Sequence, residues 1–169
     1  MLATLSPAER PSASALASSQ DLASRPEAAF ELICEVEKWP VWLSFLKSAR
    51  RIDETQPLGL GSEIALRGAI PGDAEDLYEV DQFLDGHIVS LVGAFSVRRR
   101  IDFRIERKSE RAKFIVRVDY PSYGGVIGAI VDRMTVRRRL EGALDTSLLH
   151  FKSLVEFRDV ESGALLADF

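Results

Sequence analysis

Between Arg50 and Tyr120 the hydrophobic positions recur every second residue, whereas on both sides of that stretch they recur at helical spacing. Ile64, Leu66, Gly68 and Ile70 alternate with Glu63, Ala65, Arg67 and Ala69, and Pro71-Gly72-Asp73 is turn chemistry. Leu77–Leu84 and Ile88–Val92 flank Asp85-Gly86, a second hairpin signal. Val97, Ile101, Phe103 and Ile105 alternate with Arg98, Arg100, Asp102, Arg104 and Glu106. After Ser109-Glu110, Phe114, Val116, Val118 and Tyr120 alternate with Lys113, Arg117 and Asp119. Alternating runs joined by short turns predict a meandering antiparallel sheet with one wet and one buried face.

The flanks predict helices. Ser12–Ala23 alternates weakly and is taken as a first strand. Ser24-Arg25-Pro26-Glu27 is then a helix start, with Ser24 as N-cap and Glu27 in the capping-box position. Ala29, Phe30, Ile33 and Cys34 follow on one helical face, Trp39-Pro40 ends the helix, and Val41–Leu46 forms a short apolar helical piece. Pro121–Gly125 ends the sheet. Ile127, Ile130, Met134, Leu144, Leu148, Phe151 and Val155 then mark one stripe of a long helix, Ser122 to Phe157, able to cross the whole sheet. These elements predict an α+β domain over residues 12–157, with a leader at 1–11 and an unpatterned tail at 158–169.

Composition narrows the function classes. The chain of 169 residues is 46% hydrophobic and 28% charged, with net charge −4. That is globular composition without the basic field that nucleic acid would need. Arg98-Arg99-Arg100 and Arg137-Arg138-Arg139 form no stripe with stacking aromatics, so no nucleic-acid partner is expected. One cysteine, Cys34, excludes an internal disulfide, and it falls in the apolar helix pattern as a packing residue. His87 and His150 lack ligand-spaced neighbours, so neither a metal nor any other cofactor is expected. No apolar run has transmembrane length, and Met1–Pro11 lacks the basic start and apolar core of a signal peptide; a cytoplasmic location is the expectation. Leu58-Gly59-Leu60-Gly61 precedes a strand and is taken as a turn, not a phosphate cradle.

A strand, two short helices, a meander and a long terminal helix is the order of the helix-grip fold. Pro26-Glu27-Ala28-Ala29-Phe30-Glu31-Leu32-Ile33, followed by Glu35-Val36-Glu37-Lys38-Trp39-Pro40, resembles the opening of START-like SRPBCC proteins. Gly124-Gly125 to Asp132-Arg133 and Leu148 to Glu156 are similar to their closing helix. Within that superfamily the layout resembles the polyketide cyclase/dehydrase-like group. Cys34–Leu43 and Ile88–Phe95 resemble the coenzyme Q-binding group, with Ala94 where that group has proline. The resemblance implies a curved antiparallel sheet of about six to seven strands with two short helices and a long C-terminal helix across it. It also implies an apolar cavity between sheet and helix, suited to a lipid, an isoprenoid quinone or a polyketide-like molecule.

Charges on the apolar side mark the candidate site. Strand parity puts Arg99 on the face of Val97 and Ile101, and 100° per residue puts Arg137 and Glu141 within the helical stripe. A charge there is costly unless it is paired or at work. Either Arg137 and Glu141 pair with each other and Arg99 reaches the rim, or the three line the cavity and bind a polar head group. Tyr78, Tyr120 and Tyr123 are further polar candidates, with Phe103, Phe114 and Met134 as apolar lining. Glu79 has the wrong parity to join them. Three functions follow: binding or carriage of an apolar small molecule, which is preferred; cyclase/dehydrase-type catalysis, with Glu141 as the only plausible helical base; and protein interaction through an exposed Trp39–Leu46 segment.

Overall fold

The computed structural model describes residues 13–68, 74–121 and 135–167. In chain order these form β1 (Ala13–Leu22), α1 (Pro26–Cys34), a 3-10 turn (Val36–Lys38) and α2 (Trp39–Trp42). There follow β2 (Ser48–Arg51), β3 (Glu63–Arg67), β4 (Glu75–Leu84), β5 (Ile88–Gly93), β6 (Ser96–Lys108), β7 (Arg111–Pro121) and α3 (Arg137–Ala167). The strands make one seven-stranded antiparallel sheet in the order β1-β7-β6-β5-β4-β3-β2, and α3 packs on it. This is the helix-grip fold.

The alternation predicted between 50 and 120 is realised with its faces as expected. Leu91, Ile101, Phe103, Ile105, Phe114, Val116 and Val118 are buried on the inner face. Ser90, Arg100, Asp102, Arg117 and Asp119 point the other way, where the Ser90 hydroxyl of β5 donates to Asp102 and accepts from Arg100 of the neighbouring β6. Arg100 also reaches past β5 to Asp81 of β4 at 2.5 Å, while its 3.5 Å approach to Asp102 and the Arg117–Asp119 pair at 2.9 Å each lie within one strand. Gly86, at φ +73°, makes the β4–β5 turn that Asp85-Gly86 predicts. Pro71-Gly72-Asp73 lies outside the described residues, although β3 and β4 do pair as a hairpin.

One register detail departs from strict alternation. Inward positions on β4 are even-numbered at Tyr78 and Val80 but odd at Phe83, because the pairing with β5 shifts between Val80 and Gln82. A bulge of this kind adds one residue to a strand and bends it. It turns Phe83 inward, where it meets the Phe30 ring edge-on at 5.8 Å.

Several predicted boundaries move. β3 stops at Arg67, and Gly68, at φ +83°, turns away where a Cβ would meet Lys47 N at 3.0 Å. Ser24 does not cap α1. The N-cap is Arg25, with no side-chain capping bond, and Ser24 Oγ is buried without a hydrogen-bond partner among the described residues. Trp39-Pro40 opens α2 rather than merely ending α1, since proline is tolerated in a first turn. Helix α3 continues past Phe157 to Ala167, so residues 158–167 are helical. Arg158 pairs with Glu35 at 2.7 Å and Asp159 with Arg25 at 2.8 Å, which fastens that extension to α1 and its flanks. The start predicted for the long helix, 122–134, lies outside the described residues, as do residues 1–12.

Candidate functional site

The concave face between sheet and α3 has two unlike ends. One is filled by rings. Trp39 and Trp42 of α2, Phe103 of β6, Phe114 of β7 and Phe151 of α3 are all fully buried. Phe114 stacks on Phe151 with centroids 4.0 Å apart, and Trp42 meets Phe151 edge-on at 4.8 Å. Trp42 also meets Phe103 and Phe114 at 5.7 and 5.8 Å, and Trp39 meets Phe103 at 5.0 Å. Trp39 Nε1 donates to the Ile33 carbonyl at 2.8 Å, which fixes the ring. Each ring removed from water contributes roughly 3 kcal/mol, so this block is a plug that binds α3 to the sheet. Phe103 and Phe114, expected to line a cavity, pack against other rings here. Burial of Trp39, Trp42, Leu43 and Leu46 likewise withdraws the predicted docking segment from the surface. Val41 stays 63% exposed and Phe45 is half-buried, while the remaining apolar residues of the segment face the core.

The other end is polar. Successive inward positions across the sheet are Ile64 on β3, Tyr78 on β4 and Gly93 on β5, paired in that order. One step beyond the Arg100–Asp119 pair, β6 and β7 contribute Arg99 and Tyr120. Neighbouring strands are about 4.8 Å apart, and Gly93 places no side chain between β4 and β6. Arg99 reaches across that gap and forms an ion pair with Asp76, two residues before Tyr78 on the same face. Tyr78 is 2% exposed and hydrogen-bonds Arg99. Its phenol is pushed up to about 12, chiefly by burial, with nearby Asp76 adding to the rise and Arg99 opposing it. At neutral pH it is a hydrogen-bond donor and not a base. Tyr120 is buried beside them. The Asp76 and Arg99 side chains keep 33% and 19% of their surface accessible. This is therefore the end of the face that the described side chains leave partly open.

Parity thus placed Arg99 and Tyr78 on the inner face and Glu79 on the outer one. It missed Asp76, whose even number beside Tyr78 was the available signal. Arg137 and Glu141 come out differently. They pair with each other at 2.8 Å and remain 46% and 47% exposed. The buried stripe of α3 is Leu140, Leu144, Leu148, Phe151 and Val155. Arg137 lies close to the angle of Leu144 on the helical wheel, but what faces the stripe changes along the helix. Leu140, Leu144, Leu148 and Phe151 all lie within the core cluster, whereas Arg137 and Glu141, beside Leu140, border a shallow, open hollow with Ala15, Ala17 and Ser18 of β1. Water reaches both side chains there, which leaves Glu141 without the dry surroundings a catalytic base needs. Met134 and Tyr123 lie outside the described residues.

Other chemistry is sparse. Among the described residues no group of His, Cys, Asp and Glu side chains is placed to hold a metal ion, and no helix is long and apolar enough to cross a membrane. His87 Nδ1 lies 2.9 Å from the Asp85 carbonyl in the β4–β5 turn, and His150 is exposed on α3. The Cys34 thiol is pushed up to about 11, mainly by burial with nearby acidic side chains adding to the rise, so it is an inert packing group at neutral pH. A hollow of about 550 Å³ between the β2–β3 loop and β4, lined in part by Asp53, Leu60, Glu63 and Glu79, lies outside the concave face.

No protein-family model and no curated protein sequence matches the chain. Solved structures do match, and they are SRPBCC/Bet v 1-like helix-grip proteins. The solution structure of KanY protein is similar over 86% of this chain and 99% of that one, with TM-score 0.67 and 16% identity. Zhui aromatase/cyclase from Streptomyces sp. R1128 is similar over 87% and 96%, with TM-score 0.65 and 13% identity. Ara h 8.0201 is similar over 84% and 99%, with TM-score 0.55 and 13% identity. At such identities the likeness establishes the fold.

Proposed function

We propose that the protein binds or carries an apolar small molecule on the concave face, with the molecule's polar head at the Asp76–Tyr78–Arg99–Tyr120 end. One observation carries this reading: an apolar inner face ends in a polar row whose charged members stay partly accessible. A purely structural core would have no reason to keep an arginine and an aspartate there, since such a pair costs desolvation that leucine would avoid. The aromatic plug limits the ligand to the remainder of the face. Molecules with an apolar body and one polar end suit it, namely a lipid, an isoprenoid quinone or a polyketide-like compound. A cyclase or dehydrase reaction is less well supported, because Glu141 faces water and Tyr78 donates rather than abstracts a proton.

The test is native mass spectrometry of protein purified from its own host, followed by solvent extraction. A bound mass that extraction removes is expected. Protein that arrives empty and takes up no quinone or lipid analogue would sink the proposal.

A further inference from the structure

We propose that the solvent-facing side of α3 is a self-association surface, on which a second copy of the chain packs its own α3 antiparallel about a two-fold axis at Leu149. This surface lies opposite the buried stripe, so it is separate from the binding function proposed above.

The side of α3 turned inward is accounted for by Leu140, Leu144, Leu148, Phe151 and Val155. The opposite side is not the uniformly polar face of a solvated helix. At 100° per residue, Gly142, Thr146, Leu149, Ser153, Phe157 and Val160 fall within an arc of about 80°. All six are exposed, with Leu149 at 57%, Phe157 at 63% and Val160 at 71%. Three large apolar side chains on one face make a patch, where scattered single ones would need no explanation.

The order of these positions fits a second copy running the other way. Helical residues rise about 1.5 Å each, so Gly142 stands about 10 Å before Leu149 and Phe157 about 12 Å after it. With the axis at Leu149, Phe157 of a second copy comes level with Gly142, and the symmetry makes that contact twice. Nothing lies within 4 Å of where a Gly142 side chain would begin, so a ring has room to settle there. A glycine inside a helix costs stability relative to alanine, and close approach of another helix is a reason to carry it. Thr146 comes opposite Ser153 of the second copy. Thr146 Oγ1 already donates to the Gly142 carbonyl at 2.9 Å and Ser153 Oγ to the Leu149 carbonyl at 3.0 Å, so covering them strands no donor.

Charge points the same way. Arg139 stands about 15 Å before the axis and Glu161 about 18 Å after it, on the same flank of the face. Antiparallel pairing brings the two together at both ends, whereas parallel pairing would set arginine beside arginine. Among the described residues neither Arg139 nor Glu161 has an ion-pair partner. Asp145 and Glu156, on the other flank, are already held, the first by Ser18 and the second by Lys152 and the Ala23 N–H. One helix face per copy is a small interface, below the roughly 1,200 Å² of stable complexes, so a weak, concentration-dependent dimer is expected.

Sedimentation velocity of the whole chain, from low micromolar to millimolar concentration, reads the outcome. Wild type is expected to move towards the dimer mass as concentration rises. Leu149→Glu sets two carboxylates together at the axis and should stay monomeric throughout. Arg139→Glu and Glu161→Arg each reverse two exposed pairs at once and should each weaken association about tenfold. Combined, they exchange signs and should restore the wild-type affinity. All three positions are exposed, and circular dichroism checks that each variant is folded. Wild type that stays monomeric at the highest concentration overturns the proposal, as does a dimer indifferent to Leu149→Glu. Single reversals without effect, or a double variant that restores nothing, overturn the antiparallel register.

Discussion

Replacing Phe114 by alanine asks whether the aromatic block is a plug or a cavity wall. Phe114 is fully buried, stacks on Phe151 at 4.0 Å, and lies within 5.8 and 6.2 Å of the Trp42 and Phe103 rings. Removing a packed phenylalanine costs about 3–5 kcal/mol, combining the lost transfer energy with the cavity left behind. The ring contacts, each worth about 0.5–1.5 kcal/mol beyond area, place this position near the upper end. With a urea dependence of about 2 kcal/mol per molar, the unfolding midpoint should fall by roughly 2 M. Phe114→Leu keeps most of the volume and should cost about 1–2 kcal/mol. Equilibrium urea unfolding followed by tryptophan fluorescence and far-UV circular dichroism measures both, since Trp39 and Trp42 report on this block. If Phe114 instead lined an open ligand space, its loss would leave few contacts broken. A cost below about 1 kcal/mol for Phe114→Ala would refute the plug.

Further expectations follow from the helix attachments and the exposed pair. Glu35 and Asp159 are held below the usual carboxylate range: burial pushes each up, but bonds to Lys38 and Arg158 in one case, and to the Arg25 backbone and side chain in the other, outweigh it. Glu156 is lowered in the same manner by the Ala23 N–H and Lys152. A lowered folded-state value stabilises above the unfolded value and is lost as pH falls through the folded one, so Tm should drop progressively on acidification below about pH 4.5. Asp159→Asn should flatten part of that drop in a thermal-melt series. Ser24→Ala removes a buried hydroxyl without a partner among the described residues and should leave stability unchanged or raise it by about 1 kcal/mol, whereas loss of a true N-cap would lower it by a similar amount. Glu141→Gln should change stability by no more than about 0.5 kcal/mol and leave uptake of a fluorescent apolar dye intact; loss of uptake would return Glu141 to the site.

The sheet was legible because its signal is redundant: each inner-face residue is supported by neighbours two positions away, from Ile101 to Ile105 and from Phe114 to Tyr120. Local chemistry was harder. Ser24 has the composition of a cap, but its hydroxyl is turned into the core, and no sequence rule specifies which way one hydroxyl points. The same limit hid the Arg99–Asp76 pair. Its members lie on β4 and β6, which are not neighbours, and they meet near the point where the intervening β5 ends at Gly93, an arrangement that pairwise spacing does not encode. For Arg137 and Glu141 the helical wheel left two outcomes open, and the one realised is the i,i+4 pair, at 2.8 Å with both side chains about half exposed.

The attachments of α3 are distributed unevenly. Among the described residues, Ser44 to Ala143 and Ser147, Ser18 to Asp145, Asp21 to Lys152, Ala23 to Glu156, Glu35 to Arg158 and Arg25 to Asp159 all fall from residue 143 onward. The Arg137 end bears on β1 through a solvent-bathed pair. Those ties are spaced along the helix from Ala143 to Asp159, so a pull on it is shared among several small bonds and no single one has to carry the load.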